Sequence, residues 1–205
     1  MQAVLTADIV NSTLLTDEHF IALVNEIKSV YKGELIEFYR GDSFQVLIQD
    51  AEYALIEAIK SRLLAKSFED YQTLDIRISI SIGNVESKVP ALSSNMDKIF
   101  VNSGRLFDNF TNSNRKLLMS CGDEEKDFTF EIIAEYLDSL LEAMTSKQAL
   151  VIYHMLSGTQ QKDIAGKLQL SGATISKHVK TAHFDELQRL LEKYKIFVKK
   201  IAYGK

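Results

Sequence analysis

One cysteine, Cys121, and one proline, Pro90, stand in a chain of 205 residues. A lone thiol excludes an intramolecular disulfide and a thiolate metal cluster, and it points to a reducing compartment, the cytoplasm. No apolar run approaches the roughly 20 residues that span a bilayer. The start, Met1-Gln2-Ala3-Val4-Leu5-Thr6-Ala7-Asp8, lacks the basic head and cleavage site of a signal peptide and reads as a strand that begins at once. There is no Walker-type glycine loop and no Gly-x-Ser-x-Gly elbow. The four histidines, His19, His154, His178 and His183, show no ligand spacing with Cys121 or with paired acids. Cys121 itself precedes Asp123, Glu124 and Glu125, a setting that disfavours a thiolate.

What is present is ordinary globular material, 46% hydrophobic and 25% charged, enough for one domain and a small appendage. The net charge of −4 conceals a division. Residues 1–143 hold 13 Lys+Arg against 24 Asp+Glu, leaving −11, whereas residues 144–205 hold 11 against 4, leaving +7. An acidic front and a basic tail imply different partners, because only the tail can neutralise phosphates.

The front alternates between two periods. Gln2–Ile9 is a short apolar run, and Phe20, Leu23, Val24, Ile27 and Tyr31 recur at helical spacing up to Gly33. Leu35–Tyr39 and Phe44–Ile48 flank Arg40-Gly41-Asp42-Ser43, a hairpin signal. A second helix carries Tyr53, Leu55, Ile56, Ile59, Leu63 and Leu64. Ile76, Ile78, Ile80 and Ile82 alternate with Arg77, Ser79 and Ser81 as a half-buried strand. Pro90 belongs to a loop, Ile99–Phe110 reads as a helix and Leu117–Met119 as a last strand. The order β-α-β-β-α-β-α-β predicts an α+β domain with a mostly antiparallel sheet over residues 1–125. Residues 126–144 then form a linking helix with Phe130, Ile133, Ala134, Leu137, Leu141 and Met144 as its stripe. Residues 145–205 are all helical.

Within that tail, Gln161 to Lys180 fits a helix-turn-helix. Ala165 is small where two helices cross, Leu168, Leu170, Ile175 and Val179 are apolar, and Ser171 caps the second helix. That helix presents Gly172, Ala173, Ser176, Lys177 and Lys180 outward, small or polar first and basic later, which suits a major groove. Thr159, Gln160 and Thr174 complete the candidate DNA contacts. Gln169 stands at the turn, where glycine is usual. Beyond it Leu187, Leu191, Tyr194, Val198 and Ile201 form a short heptad seam, which either joins two copies as a homodimer or packs on its own domain.

The block Leu156–Lys180, with Thr159-Gln160-Gln161-Lys162-Asp163-Ile164-Ala165 and Ala173-Thr174-Ile175-Ser176-Lys177, resembles region four of sigma factors and LuxR-type helix-turn-helices. In the front, Thr6-Ala7-Asp8-Ile9-Val10-Asn11-Ser12-Thr13 and Arg40-Gly41-Asp42-Ser43-Phe44 resemble the two metal-binding motifs of class III nucleotide cyclases. That resemblance implies a ferredoxin-like, nucleotide-cyclase-like domain in which Asp8 and Asp42 would hold Mg²⁺ against a nucleotide, with Arg40, Asn102 and Arg105 as nucleotide contacts. Phe38 stands where that family has a substrate lysine, and the Asn102–Arg105 spacing is one residue short. Taken with Ser103-Gly104-Arg105-Leu106-Phe107-Asp108 and the terminal helix-turn-helix, the whole chain resembles the SatD family. Three readings of the front remain open: acids kept as turn and cap residues, an inactive domain that binds a nucleotide or metal as a signal, and an Mg²⁺-dependent cyclase-type enzyme. For the whole chain the expectation is a transcriptional regulator that binds double-stranded DNA, with the front as its sensory or dimerisation domain.

Overall fold

The computed structural model describes residues 1–68, 71, 73–86, 91–92 and 95–204, with Asn112 described by its backbone alone; Pro90 lies outside them. Five strands form one sheet in the order β2-β3-β1-β4-β5. These are β1 (Gln2–Val10), β2 (Leu35–Tyr39), β3 (Ser43–Ile48), β4 (Asp75–Gly83) and β5 (Leu117–Ser120). All neighbours run antiparallel except β4 and β5. Helices α1 (Asp17–Val30), α2 (Ala54–Lys66) and α3 (Lys98–Asp108) fall between the strands in the order the periodicity predicts. The molecule is a mixed α+β protein, and none of its described helices is long and apolar enough to cross a membrane.

Strand alternation divides the sheet chemically. Ala3, Leu5, Ala7 and Ile9 of β1 and Ile76, Ile78, Ile80 and Ile82 of β4 belong to the main core with α1 and α2. On the opposite face, Ser79 and Ser81 are buried as well, unlike the open face that alternation with serine suggests. The reason is α3, which lies across them on a small residue. Ser103 Oγ donates to Val4 O at 3.1 Å and sits 2.8 Å from Thr6 Oγ1, while Ser79 Oγ donates to Ser103 O at 2.9 Å. Hydroxyls pair locally there, so the burial leaves these groups satisfied.

Helix α2 is buried on nearly every side, from Ala54 and Leu55 to Leu64 and Ala65. It lies between the sheet and the helices α4 (Glu124–Glu142), α5 (Ser146–Leu156) and α8 (Phe184–Tyr203). The linking helix predicted for 126–144 is therefore no free spacer. Asp123 caps it by accepting from Lys126 N at 3.1 Å, Asp127 accepts from Ser120 Oγ and Cys121 N, and Asp138 accepts from Lys116 N at 2.9 Å. These bonds fasten α4 along β5.

The expected separation of residues 145–205 from the front is bridged in the same way. Ala149 and Ile152 of α5 and Leu187, Leu191, Tyr194 and Val198 of α8 enter the core that holds the sheet. The heptad seam thus packs on its own chain rather than on a second copy. Tyr194 is fully buried and donates its hydroxyl to Ala51 O at 2.9 Å. Within this tail α6 (Gln161–Leu168) and α7 (Gly172–Thr181) close a separate small core, around Val151, Ile164 and Ile175.

Candidate nucleic-acid interface and acidic cleft

Helices α5, α6 and α7 are built by strong local signals. Thr145 and Gln148 form a reciprocal capping box at the start of α5. Gln169, after α6, adopts φ 53° and ψ 40°, the left-handed conformation that glycine takes without steric cost. Leu170 N then donates to Ala165 O at 3.0 Å, closing the helix end. Ser171 caps α7 by accepting from Thr174 N at 3.1 Å, and Ser176 Oγ donates to Gln161 Oε1 at 3.1 Å, which braces α7 against α6.

Gly172, Ala173, Ser176, Lys177 and Lys180 are all exposed along one side of α7, as expected. Gln160 is exposed as the residue before α6, and Thr159 is half-buried behind it. Thr174 is different: half-buried, its hydroxyl sits 2.8 Å from Ser171 Oγ, so it serves the cap. Sequence reasoning passed over a shallow groove of ≈ 510 Å³ between α5 and α7, lined by Gln148, Ala173, Lys177, His178 and Thr181. Gln148 Nε2 donates to Thr181 Oγ1 across it at 2.8 Å, a contact between residues 33 apart that no local pattern announces. His154, at the end of α5, has its pKa lowered by burial and by Lys167, so its neutral form is favoured.

Asp8 and Asp42 do line one cleft, of ≈ 490 Å³, together with Asn11, Arg77, Arg115 and Lys116. Strand pairing brings them there: Asp8 faces Ser43 on β3 and Arg77 on β4, and Ile9 N donates to Asp42 O at 3.1 Å. Arg77 Nη2 donates to Asp8 Oδ2 at 2.7 Å and Ser43 Oγ to Asp8 Oδ1 at 3.2 Å, while Ser12 Oγ donates to Asp42 Oδ2 at 2.5 Å. Both oxygens of Asp8 are thus engaged, and a guanidinium already balances its charge. A Mg²⁺ ion at Asp8 would sit against the Arg77 guanidinium, and among the described residues no group of three or more His, Cys, Asp or Glu gathers to hold a metal. The residues present do not fit the metal site that the cyclase resemblance implies.

Arg40, Asn102 and Arg105 are not brought to this cleft. Arg40 sits at the β2–β3 tip with φ 53° and lines a different hollow with Tyr39 and Gln45. Asn102 lies beside Gly122, just past the end of β5. That end of β5 pairs through Ser81 with Val4, four residues or about 13 Å of strand from Asp8. Arg105 is exposed on α3. Arg77, which the pattern of β4 marks only as a strand residue, shares the parity of Ser79 and Ser81; only the β1–β4 register assigns it to Asp8.

No protein-family model matches the chain, and no curated protein matches it. Among solved structures, the chain is similar to the crystal structure of the guanylyl cyclase Cya2, with a TM-score of 0.37 and 18% identity over 53% of this chain and 69% of that one. A likeness of this size assigns no activity.

Proposed function

We propose that this protein is a DNA-binding transcriptional regulator in which α6, the Gln169–Ser171 turn and α7 act as a helix-turn-helix. The observation that carries the reading is the outward side of α7. It is small at Gly172 and Ala173, polar at Ser176 and basic at Lys177 and Lys180, with every one of these residues open to solvent. Small residues at the start of the helix let its backbone approach base edges, and the amino end of the helix favours the negatively charged groove. Lys177 would read bases, Ser176, whose hydroxyl donates to Gln161, would accept from a base edge, Lys180 would bind phosphate, and Gln160 would meet the backbone beside the start of α6. The basic balance of residues 144–205 supports the same reading in a chain that is otherwise acidic.

On this reading residues 1–125 form a cyclase-like sensory domain of the SatD type, with a small molecule or nucleotide as its signal. The pairing of Asp8 with Arg77 speaks against the Mg²⁺-dependent enzyme. Selection of binding sites from random DNA with the full chain tests the proposal. A recovered consensus, bound more tightly than scrambled DNA at low salt, is the expected result; no sequence preference at low salt overturns it.

A further inference from the structure

Two helix faces point into solvent with the wrong chemistry for it. On α4, Phe128, Ile132 and Tyr136 recur every fourth residue, so they form one stripe, and they are 64%, 53% and 48% exposed. Glu124, Glu125, Glu131 and Glu135 flank this stripe and are exposed. Beside it opens the groove between α4 and the edge strand β5, ≈ 620 Å³, with Leu106, Leu118 and Phe128 in its wall. On α8, Ile196 and Tyr203 are 54% and 77% exposed. Lys193 and Lys200 are exposed with them, and the spacing 193, 196, 200, 203 is again a single stripe. One face is apolar with acidic flanks; the other is apolar with basic ones.

Within the chain the two helices are neighbours, since Phe130 of α4 meets the ring of Phe197 of α8 with centroids 5.1 Å apart. Each copy carries one acid-flanked and one base-flanked face, and a two-fold rotation can set the first on the second of its partner twice over. We propose that this protein forms a two-fold dimer in which the Phe128–Ile132–Tyr136 face of α4 packs on the Lys193–Ile196–Lys200–Tyr203 face of α8 from a second copy, and reciprocally. The occupant is set by charge. Packing α4 on α4 opposes carboxylates, packing α8 on α8 opposes ammonium groups, and only the crossed arrangement buries both apolar stripes with opposite charges at their rims. The buried seam of α8 plays no part in it. The inference does not depend on DNA binding, although a two-fold dimer would present two copies of α7.

Reversed charges give a test that separates this interface from any other. The full chain is made as Glu125→Lys/Glu131→Lys and, separately, as Lys193→Glu/Lys200→Glu, and the molar mass is followed by sedimentation equilibrium. The wild type is expected to dimerise at micromolar concentration, and each variant alone to dissociate at least about tenfold more readily. Mixed in equal amounts, the two variants should form a heterodimer with affinity within a few-fold of the wild type. In that pair both crossed contacts again join opposite charges. Recovery on mixing also shows that both variants are folded. A monomeric wild type, variants that dimerise as well as the wild type, or a mixture that stays monomeric would each overturn the proposal.

Discussion

Arg62 and Asp75 form a two-pronged ion pair in the middle of the molecule, with Nε–Oδ1 and Nη2–Oδ2 both at 3.0 Å. Burial opposes the charge of Arg62, but Asp75 and then Asp138 more than offset it, so the guanidinium stays protonated. Nη1 donates to Asp138 at 2.5 Å, and one side chain thereby joins α2, β4 and α4. Without the charge of Asp75 the buried guanidinium keeps only Asp138 as a carboxylate partner, and two of its donors lose a charged acceptor. Asp75→Asn is expected to cost about 3–5 kcal/mol in urea unfolding. A loss below about 1 kcal/mol, the scale of an exposed pair, would remove this pair from the account.

The shared core predicts that the basic tail unfolds with the sheet. Tyr194 fills a fully buried site and its hydroxyl satisfies Ala51 O. Tyr194→Ala should lower stability by about 3–5 kcal/mol, and its melt should move as one transition followed by both tyrosine absorbance and helical circular dichroism. Two separated transitions in the wild type would mean that residues 145–205 stand apart after all.

At the turn between α6 and α7, Gln169 holds φ 53°. A side chain there is strained by about 1–2 kcal/mol, partly balanced in Gln169→Gly by the greater freedom of glycine in the unfolded chain. The substitution should raise stability by up to about 1 kcal/mol without weakening DNA binding. A destabilised Gln169→Gly would show that this residue does not occupy the left-handed conformation in solution.

Cys121 is predicted to be a poor nucleophile. Burial first, helped by the charge and hydrogen bond of Asp127 and opposed by a backbone hydrogen bond at Asp123, pushes its thiol up to about 11. The raised value keeps the neutral thiol through the physiological range, and the thiolate appears only as pH climbs towards the raised value. Alkylation by iodoacetamide at pH 8 should run about a hundredfold slower than for a free thiol with a pKa near 8.5. Reaction at the rate of a free thiol would contradict the packing at the end of β5.

The strands and helices were legible in sequence because each rests on a local period. The isoleucines of β4 and the hairpin at Arg40-Gly41-Asp42 lie where the pattern puts them. The partners were not legible, since register and helix packing join residues far apart. Arg77 meets Asp8 across 69 positions, and Arg62 meets Asp138 across 76. Taken locally, Arg62 is one polar residue on an amphipathic helix; only burial of α2 from both sides makes it central. The same limit applies to the seam of α8. Its spacing allowed a second copy or its own domain, and what decided between them was the apolar surface of Ala51 and α2, far earlier in the chain. Of the candidate DNA contacts, Thr159 and Thr174 are half-buried, and the hydroxyl of Thr174 meets its own cap, a pairing the outward pattern of α7 does not announce.

The most direct measurement of the central claim is the salt dependence of binding to a selected DNA site, for the wild type and for Lys177→Ala/Lys180→Ala. If α7 enters the groove, the wild type loses affinity linearly on a log–log plot. The double variant binds at least about tenfold more weakly, with a slope shallower by about 1 for each phosphate left without its lysine. Equal affinity and equal slope for the two proteins would contradict the account.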